Sequence, residues 1–383
     1  MDYDAFFDDG PPISQLQAAV KALDEYVHHV VPAHISSTAP ASTAASLAST
    51  STTAPVAATT PAPASVPPPV PHGRRSSITP VHLFARQEFA VGKWKELAKA
   101  HVAICGVGAI GALAAESLVR AGVGKLFLVD PVRVQMSAMS SMVYLPQEIG
   151  FSRIQALRLR LQSISAHGKT TIDSFSADLS NEMDLLELRK KLRVSSVGAT
   201  KPNSTGVQWT TPAEGSFGLF EALTSKRPYD LVLCCVESEE ATEQVNEICL
   251  ELSLPMLHVT LSPCNTKVSL EAVLPGHTCC LTCVRTQQQL TQQSTLTDEV
   301  VRSIAKAFPA ALPHVELTAA GLLAQNAIKF LLELGDFVPF FTLDLLKFEM
   351  ESYSYPPNPA CTNAACKQRQ HEERKHTALS SSA

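Results

Sequence analysis

Two pairs of cysteines set the tightest limit on what this chain can fold into. Cys280 and Cys283 are spaced C-x2-C, Cys361 and Cys366 are spaced C-x4-C, and 77 residues separate the pairs. Each pair can present two thiolates to one ion, and a tetrahedral zinc held by four sulfurs at about 2.3 Å accepts both spacings. Any fold must then bring two distant segments together. The competing reading is four unrelated thiols among the ten cysteines of the sequence. The paired spacing favours zinc on Cys280, Cys283, Cys361 and Cys366. A ligand set made only of cysteine leaves no open position for a substrate. The ion is therefore expected to be structural and to add to folding stability, because an unfolded chain cannot gather the four thiolates.

Charge and hydropathy narrow the class. The formal net charge is −5 and the pI about 6.2, so no basic surface points to nucleic acid or to an anionic membrane. The opening MDYDAFFDDG is acidic and lacks the charged-then-apolar pattern of a signal peptide. No apolar run reaches transmembrane length, and the stretch 317–335 is interrupted by Gln325, Asn326, Lys329 and Glu333. A cytoplasmic protein with reduced thiols is the expectation, with neither nucleic acid nor membrane among its partners.

Four segments follow from composition and periodicity. Residues 1–33 form an N-terminal segment in which Leu16, Val20, Leu23, Val27 and Val30 have the spacing of one amphipathic helix. Residues 34–79 are almost wholly Ala, Ser, Thr, Pro and Val, a linker expected to be disordered because it has too little apolar surface to offset its ordering entropy. The folded domain is expected over 80–366, and 367–383 reads as a polar tail. Within the domain, 100–106 reads as a buried strand, 109–120 as a helix, and 125–130 as a strand ending in Asp130. Strand, glycine turn, helix, strand is the opening of an α/β fold with a doubly wound, mostly parallel Rossmann-like sheet. A helix over 152–164 and a strand over 170–175 continue the alternation, followed by a strand over 229–236 and a helix over 239–252. Strands at 255–260 and 267–273 predict an antiparallel extension, and 317–334 a closing helix. Residues 194–217 read as a surface insertion, and the glutamine run 287–293 as a flexible connector.

The turn GVGAIG places Gly106, Gly108 and Gly111 at the G-x-G-x-x-G positions. These permit a tight turn, close approach of a phosphate to the backbone, and close helix–strand packing. Asp130 stands 19 residues past the last glycine, where a carboxylate can meet ribose hydroxyls. The motif alone does not separate NAD, FAD and ATP. It is also compatible with an empty nucleotide fold that kept its packing glycines. An oxidoreductase reading rests on the turn alone.

The stretch ICGVGAIGALAAESLVRAGVGKLFLVD (104–130) continues past the glycines with Glu116, Leu118, Arg120, Gly122, Val123 and Gly124 as E-x-L-x-R-x-G-V-G. It resembles the ThiF/MoeB superfamily, which adenylates the C-terminus of ubiquitin-like proteins. The phrases YDLVLCCVE (229–237), LPGHTCCLTC (274–283), AGLLAQNAIKFLLELG (320–335) and PPNPACTNAACKQRQ (356–370) place the likeness among the ubiquitin-like modifier-activating enzymes that act on ubiquitin-fold modifier 1. The resemblance covers roughly 95–370. It implies binding of ATP and Mg²⁺, a modifier adenylate, transfer of the modifier to a cysteine as a thioester, and a dimer. It also implies a recruiting tail past the last cysteines, which this chain is expected to lack.

The departures from that pattern are as informative. Before LPHVELTAAG (312–321) the resemblance implies a nucleophilic cysteine, and this chain has Phe308 there, with no cysteine between Cys283 and Cys361. A phenyl ring cannot form a thioester. The D-x-D after the second strand reads Asp130-Pro131-Val132, the N-x-N-R segment reads Ala138-Met139-Ser140-Ser141, and the lysine position holds Arg153. The metal-associated aspartate position holds Glu237, and a nearby arginine position holds Thr242. Adenylation joins two anions and needs cations to neutralise the developing charge, one such group being worth about 3–4 kcal/mol. The expectation is a degenerate homologue, a pseudoenzyme with no catalytic residue of its own. Its thioester step would be lost and its ATP and Mg²⁺ binding weakened at Gly106, Gly108, Gly111, Asp130, Arg153 and Glu237. It would act as a regulatory or partner subunit, as a homodimer or with an intact paralogue, and meet ubiquitin-fold modifier 1. The alternative is an active or adenylation-only enzyme, with Arg133 or Arg158 supplying charge and Cys264 or Cys279 the acceptor.

Overall fold

The architecture comes from a computed structural model, which describes residues 84–141, 143–165, 170–193, 228–262, 266–291 and 312–380. The segments 1–33 and 34–79, the insertion 194–217, Cys264 and Phe308 lie outside the described residues.

Eight strands form one sheet in the order β3-β2-β1-β4-β5-β6-β7-β8. The parallel part comprises β1 (His101–Cys105), β2 (Lys125–Val129), β3 (Thr171–Phe175), β4 (Leu231–Cys234) and β5 (Met256–Leu261). The antiparallel part adds β6 (Lys267–Val273), β7 (Phe340–Asp344) and β8 (Glu349–Ser352). The expected mostly parallel sheet with an antiparallel extension is present. β1 and β4 are apolar along almost their whole length because both faces are covered. Val102 and Ile104 join one core, while Ala103 and Cys105 join the other.

Helix α1 (Ala85–Val91) leads into the sheet. Helix α2 (Ala109–Ala121) follows the glycine turn and buries Ala112, Ala114, Ala115, Leu118 and Val119. Its alanine-rich composition favours helix and lets it lie close to the strands. It stops at Gly122, whose φ of 95° is left-handed and whose amide bonds back to the carbonyls of Leu118 and Val119. Helix α3 (Arg153–Ile164) covers the same face. Helix α4 (Glu182–Arg193) and helix α5 (Glu239–Glu251) cover the other, with Leu185, Leu188, Leu192, Val245 and Ile248 inward. After β6 come helix α6 (Leu281–Thr291) and helix α7 (Pro313–Leu332), and the chain closes with helix α8 (Ala364–Ser380).

Four segments differ from the sequence expectations. The strand over 255–260, expected in the antiparallel extension, is β5 and runs parallel to β4, so the antiparallel part starts one strand later, at β6. Helix α7 begins at Pro313 rather than 317, since proline at the first helical position has its φ preset and needs no partner for a missing N–H. Residues 287–291 of the glutamine run end α6 instead of forming a connector, and 292–293 lie outside the described residues. The stretch read as a polar tail continues as α8. Its Arg369 Nε donates to the Leu250 carbonyl at 2.7 Å, which also accepts from the Ser253 amide, and its Nη2 donates to the Glu251 carbonyl, so it binds the C-terminal end of α5.

The closest backbone approach in the core lies at the glycine turn. A Cβ on Gly111 would sit 1.9 Å from the Gly106 carbonyl oxygen, so the first turn of α2 rests directly on the end of β1. Gly321, on the outer side of α7, has nothing within 4 Å of its Cβ position. Gly111→Ala is expected to destabilise the domain by about 3 kcal/mol through enforced backbone displacement. Gly321→Ala is expected to stabilise it by roughly 0.5–1 kcal/mol through helix propensity. Urea denaturation midpoints of the two variants check the contrast.

Candidate functional site

The strand order reverses between β1 and β4, and in an open parallel sheet such a reversal opens a crevice at the carboxyl ends of the strands. A cavity of about 360 Å³ lies there, lined in part by Gly106, Gly108, Asp130, Arg153 and Glu237. Gly111 stands behind it, packed under the turn. Six residues read from the sequence as a nucleotide site thus converge on one crevice.

The turn itself is built by close contacts. Gly106 has a φ of 87°, and a side chain on it would meet the Cys235 carbonyl at 2.6 Å. The Asp130 carboxylate fastens the turn to the second strand. Its Oδ2 accepts from the Val107 amide at 2.8 Å and its Oδ1 from the Val132 amide at 2.7 Å. Asp130 is only 4% exposed. Burial raises its pKa above the usual carboxylate range, while the two amides and the Arg153 charge pull the other way. Asp130 is therefore a structural clamp whose remaining lone pairs face the crevice lining. The buried Tyr144 hydroxyl donates to the Val107 carbonyl at 2.6 Å and ties the loop after β2 to the same turn. Arg160 fixes that loop to α3 by pairing with both oxygens of Glu148 and donating to the Val143 carbonyl.

Gly108 caps the N-terminus of α2 without a side chain. The Glu237 Oε1 lies 3.5 Å, and the Arg153 Nη1 3.8 Å, from where its Cβ would be. The Nε of Arg153 is buried with no hydrogen-bond partner among the described residues. The crevice lining carries four carboxylates, Asp130, Asp178, Glu237 and Glu240, against the single guanidinium of Arg153. Glu316, in the first turn of α7, adds another carboxylate nearby; burial raises its pKa, and the charge of Glu237 raises it further. The α2 N-terminus favours an anion by roughly 0.3–1 kcal/mol. One unit charge about 4 Å away counts for about 4 kcal/mol at a partly screened surface. The carboxylates therefore outweigh the helix end.

Asp178, Glu240 and Glu316 escaped the sequence reading. Asp178 follows β3, so the rule that parallel-strand ends line the site could have found it. Glu316 arrives from a helix more than 170 residues along the chain from Arg133, with no local motif to announce it. The residues weighed as substitutes do not supply the site. Arg133 donates to the Gly150 carbonyl at 2.9 Å, Arg158 is exposed on α3, and neither is part of the crevice lining. Cys279 is fully buried, and burial pushes its thiol upward.

The four cysteines meet at a second location. Cys280 precedes α6, Cys283 lies in its first turn, Cys361 lies in the loop before α8, and Cys366 lies in the first turn of α8. All four are buried and their sulfurs lie within 4.8 Å of one another. The Sγ separations are 3.6 Å for Cys280–Cys283, 3.7 Å for Cys280–Cys361 and 4.0 Å for Cys283–Cys366. A tetrahedron of sulfurs at about 2.3 Å from its centre has edges of about 3.8 Å. The cluster therefore fits a tetrahedral metal ion. Asn363 accepts the Cys366 amide at 2.9 Å, and Gln370 Nε2 donates to the Cys366 sulfur at 3.2 Å, so the ligand set carries its own outer support.

The ThiF family model matches residues 83–363, most of the chain. The chain belongs to the ThiF family. Among the proteins this ThiF chain resembles is ubiquitin-like modifier-activating enzyme 5 of Arabidopsis thaliana, 29% identical over 282 residues, covering 74% of this chain and 59% of that protein. The Rattus norvegicus protein of the same name is 27% identical over 293 residues, covering 74% and 63%. The chain thus spans about three fifths of the length of these relatives. The fold is shared with E. coli MccB solved with ATP, at a TM-score of 0.53, 15% identity and coverage of 73% and 74%. It is shared equally with the microcin C7 biosynthetic enzyme MccB in complex with N-formylated MccA, at a TM-score of 0.54, 15% identity and the same coverage.

Removing the Asp130 carboxylate tests the clamp. Asp130→Ala would leave the Val107 and Val132 amides without their acceptor and is expected to cost about 3 kcal/mol of stability. Chemical denaturation checks it, with hydrogen exchange at the Val107 amide accelerating well ahead of global unfolding.

Proposed function

We propose that this ThiF-family chain is a degenerate homologue of the enzymes that activate ubiquitin-fold modifier 1, and that it works as a regulatory or partner subunit. The observation that carries this reading is the nucleophile position: it holds Phe308, and no cysteine occurs between Cys283 and Cys361. Thioester formation needs a thiolate, so the second half of the relatives' reaction has no acceptor there. The charge of the crevice supports the same reading for the first half. Adenylation needs cations around a triphosphate, and four carboxylates surround the one guanidinium of this crevice. Its partners are then a second copy or an intact paralogue, with ubiquitin-fold modifier 1 as the shared substrate, in the cytoplasm. The retained glycine turn, with Asp130 and Arg153 beside it, favours a second reading in which adenylation alone survives.

Zinc is the ion this reading assigns to Cys280, Cys283, Cys361 and Cys366. With four thiolates and no open position it would hold α6 and α8 together and take no part in chemistry.

Two measurements test these assignments. ATP–pyrophosphate exchange with ubiquitin-fold modifier 1 is expected to be absent from the purified chain, and adding the chain is expected to change the exchange rate of an intact paralogue. Phe308→Cys alone is expected not to form a thioester. Modifier-dependent exchange by the chain alone would replace the subunit reading with the adenylation reading. For the metal, the protein is expected to release about one zinc per chain on acid treatment, and stripping it is expected to lower the melting temperature by about 10 °C. Cys366→Ser is expected to purify with less than a tenth of that zinc.

A further inference from the structure

We propose that the crevice takes a nucleoside monophosphate in preference to a nucleoside triphosphate. This rests on the reading above, that adenylation has been lost, and names what the site still binds. The second glycine of a G-x-G-x-x-G turn is needed because a phosphate approaches the backbone where a Cβ would stand. In this chain that space is already shared by two side chains, with Glu237 Oε1 3.5 Å and Arg153 Nη1 3.8 Å from the Cβ position of Gly108. A carboxylate stands over the turn, and one cation stands beside it.

That cation still has capacity. The Nε of Arg153 is buried and has no partner among the described residues, which suits one anionic group carrying a good acceptor. A single phosphate fulfils that requirement. Further phosphates meet no other cation among the residues lining the crevice, and they meet the carboxylates of Glu237 and Glu240. The nucleoside end is better provided. Asp130 is held in place by the Val107 and Val132 amides, and each of its oxygens keeps a second lone pair for a ribose hydroxyl. A ligand with one phosphate group and a ribose matches both ends, and a triphosphate matches only one.

The test is calorimetric binding of AMP, adenosine and ATP to the full, zinc-loaded chain, first without added Mg²⁺ and with trace EDTA kept below the protein concentration, then with Mg²⁺. Without Mg²⁺, AMP is expected to bind at least tenfold more tightly than ATP and several-fold more tightly than adenosine. Arg153→Ala is expected to bring AMP down to the affinity of adenosine while leaving adenosine unchanged. The double variant Glu237→Gln, Glu240→Gln is expected to raise ATP affinity at least fivefold. Because these three side chains line an open crevice, circular dichroism of each variant verifies that the fold is kept. ATP binding as tightly as AMP without Mg²⁺ would overturn the proposal, as would no measurable AMP binding by the folded wild-type chain. The exchange assay separates the two readings. Exchange activity with AMP still preferred without Mg²⁺ would overturn only the subunit reading, and an inactive chain that binds ATP as tightly as AMP would overturn only this one.

Discussion

The site depends on one buried carboxylate. Asp130 stands at the end of β2 and accepts the amide of Val107 from the turn after β1 and the amide of Val132 from its own loop. These bonds set where Gly106 turns, and so where α2 begins. They act against a cost, since burial raises the pKa of the acid and the two amides and Arg153 offset this only in part. Two charge-assisted bonds of about 1.5–3 kcal/mol each are the scale needed to keep such a group in place. A residue of this kind has a structural reason to persist whatever happens to the chemistry beside it. The glycines share that property: the Gly111 Cβ position is 1.9 Å from the Gly106 carbonyl, so packing alone demands glycine there. Retention of the turn is thus evidence about the fold more than about catalysis.

The cysteine cluster solves a different physical problem. Helix α8 is mostly polar, and its buried residues are few. Such a helix has little apolar surface to hold it against a domain. The cluster sets Cys366 of its first turn against Cys283 of α6, and Arg369 adds an attachment by donating to the Leu250 and Glu251 carbonyls at the end of α5. The two attachments converge within one turn of helix, which explains why a stretch with tail-like composition is ordered as a helix.

The parts of this molecule legible in the sequence are those whose signal is local. β1, β2 and β4 are apolar runs because both faces of the sheet are covered, and the glycine turn between β1 and α2 announces the topology that follows. The paired cysteines were legible because their C-x2-C and C-x4-C spacings are those of metal ligands. β8 was not legible: all four of its residues are exposed, so it carries no apolar pattern. Helix α4 had a readable stripe, Leu185, Leu188 and Leu192, which its high charge obscured. Within the site, the residues near the glycine turn were found and those delivered by tertiary folding were not. Glu240 sits one helical turn past Glu237, and Glu316 comes from α7 on the opposite side of the crevice in sequence; neither belongs to a motif.

This division bears on how the site should be judged. Motif residues such as Gly106, Gly111 and Asp130 are held by packing and by backbone hydrogen bonds, so the fold requires them whatever the site binds. Charge at the rim answers only to the ligand. At the rim of this crevice Glu237, Glu240 and Asp178 are exposed, and nothing in the packing requires them to be acidic. Asp178 does accept from the Ser180 amide and hydroxyl, which holds its pKa below the usual range and keeps it ionised. Such groups are the sensitive record of what the crevice binds. Among the described residues of that lining, they set four carboxylates, with Asp130, against the one guanidinium of Arg153.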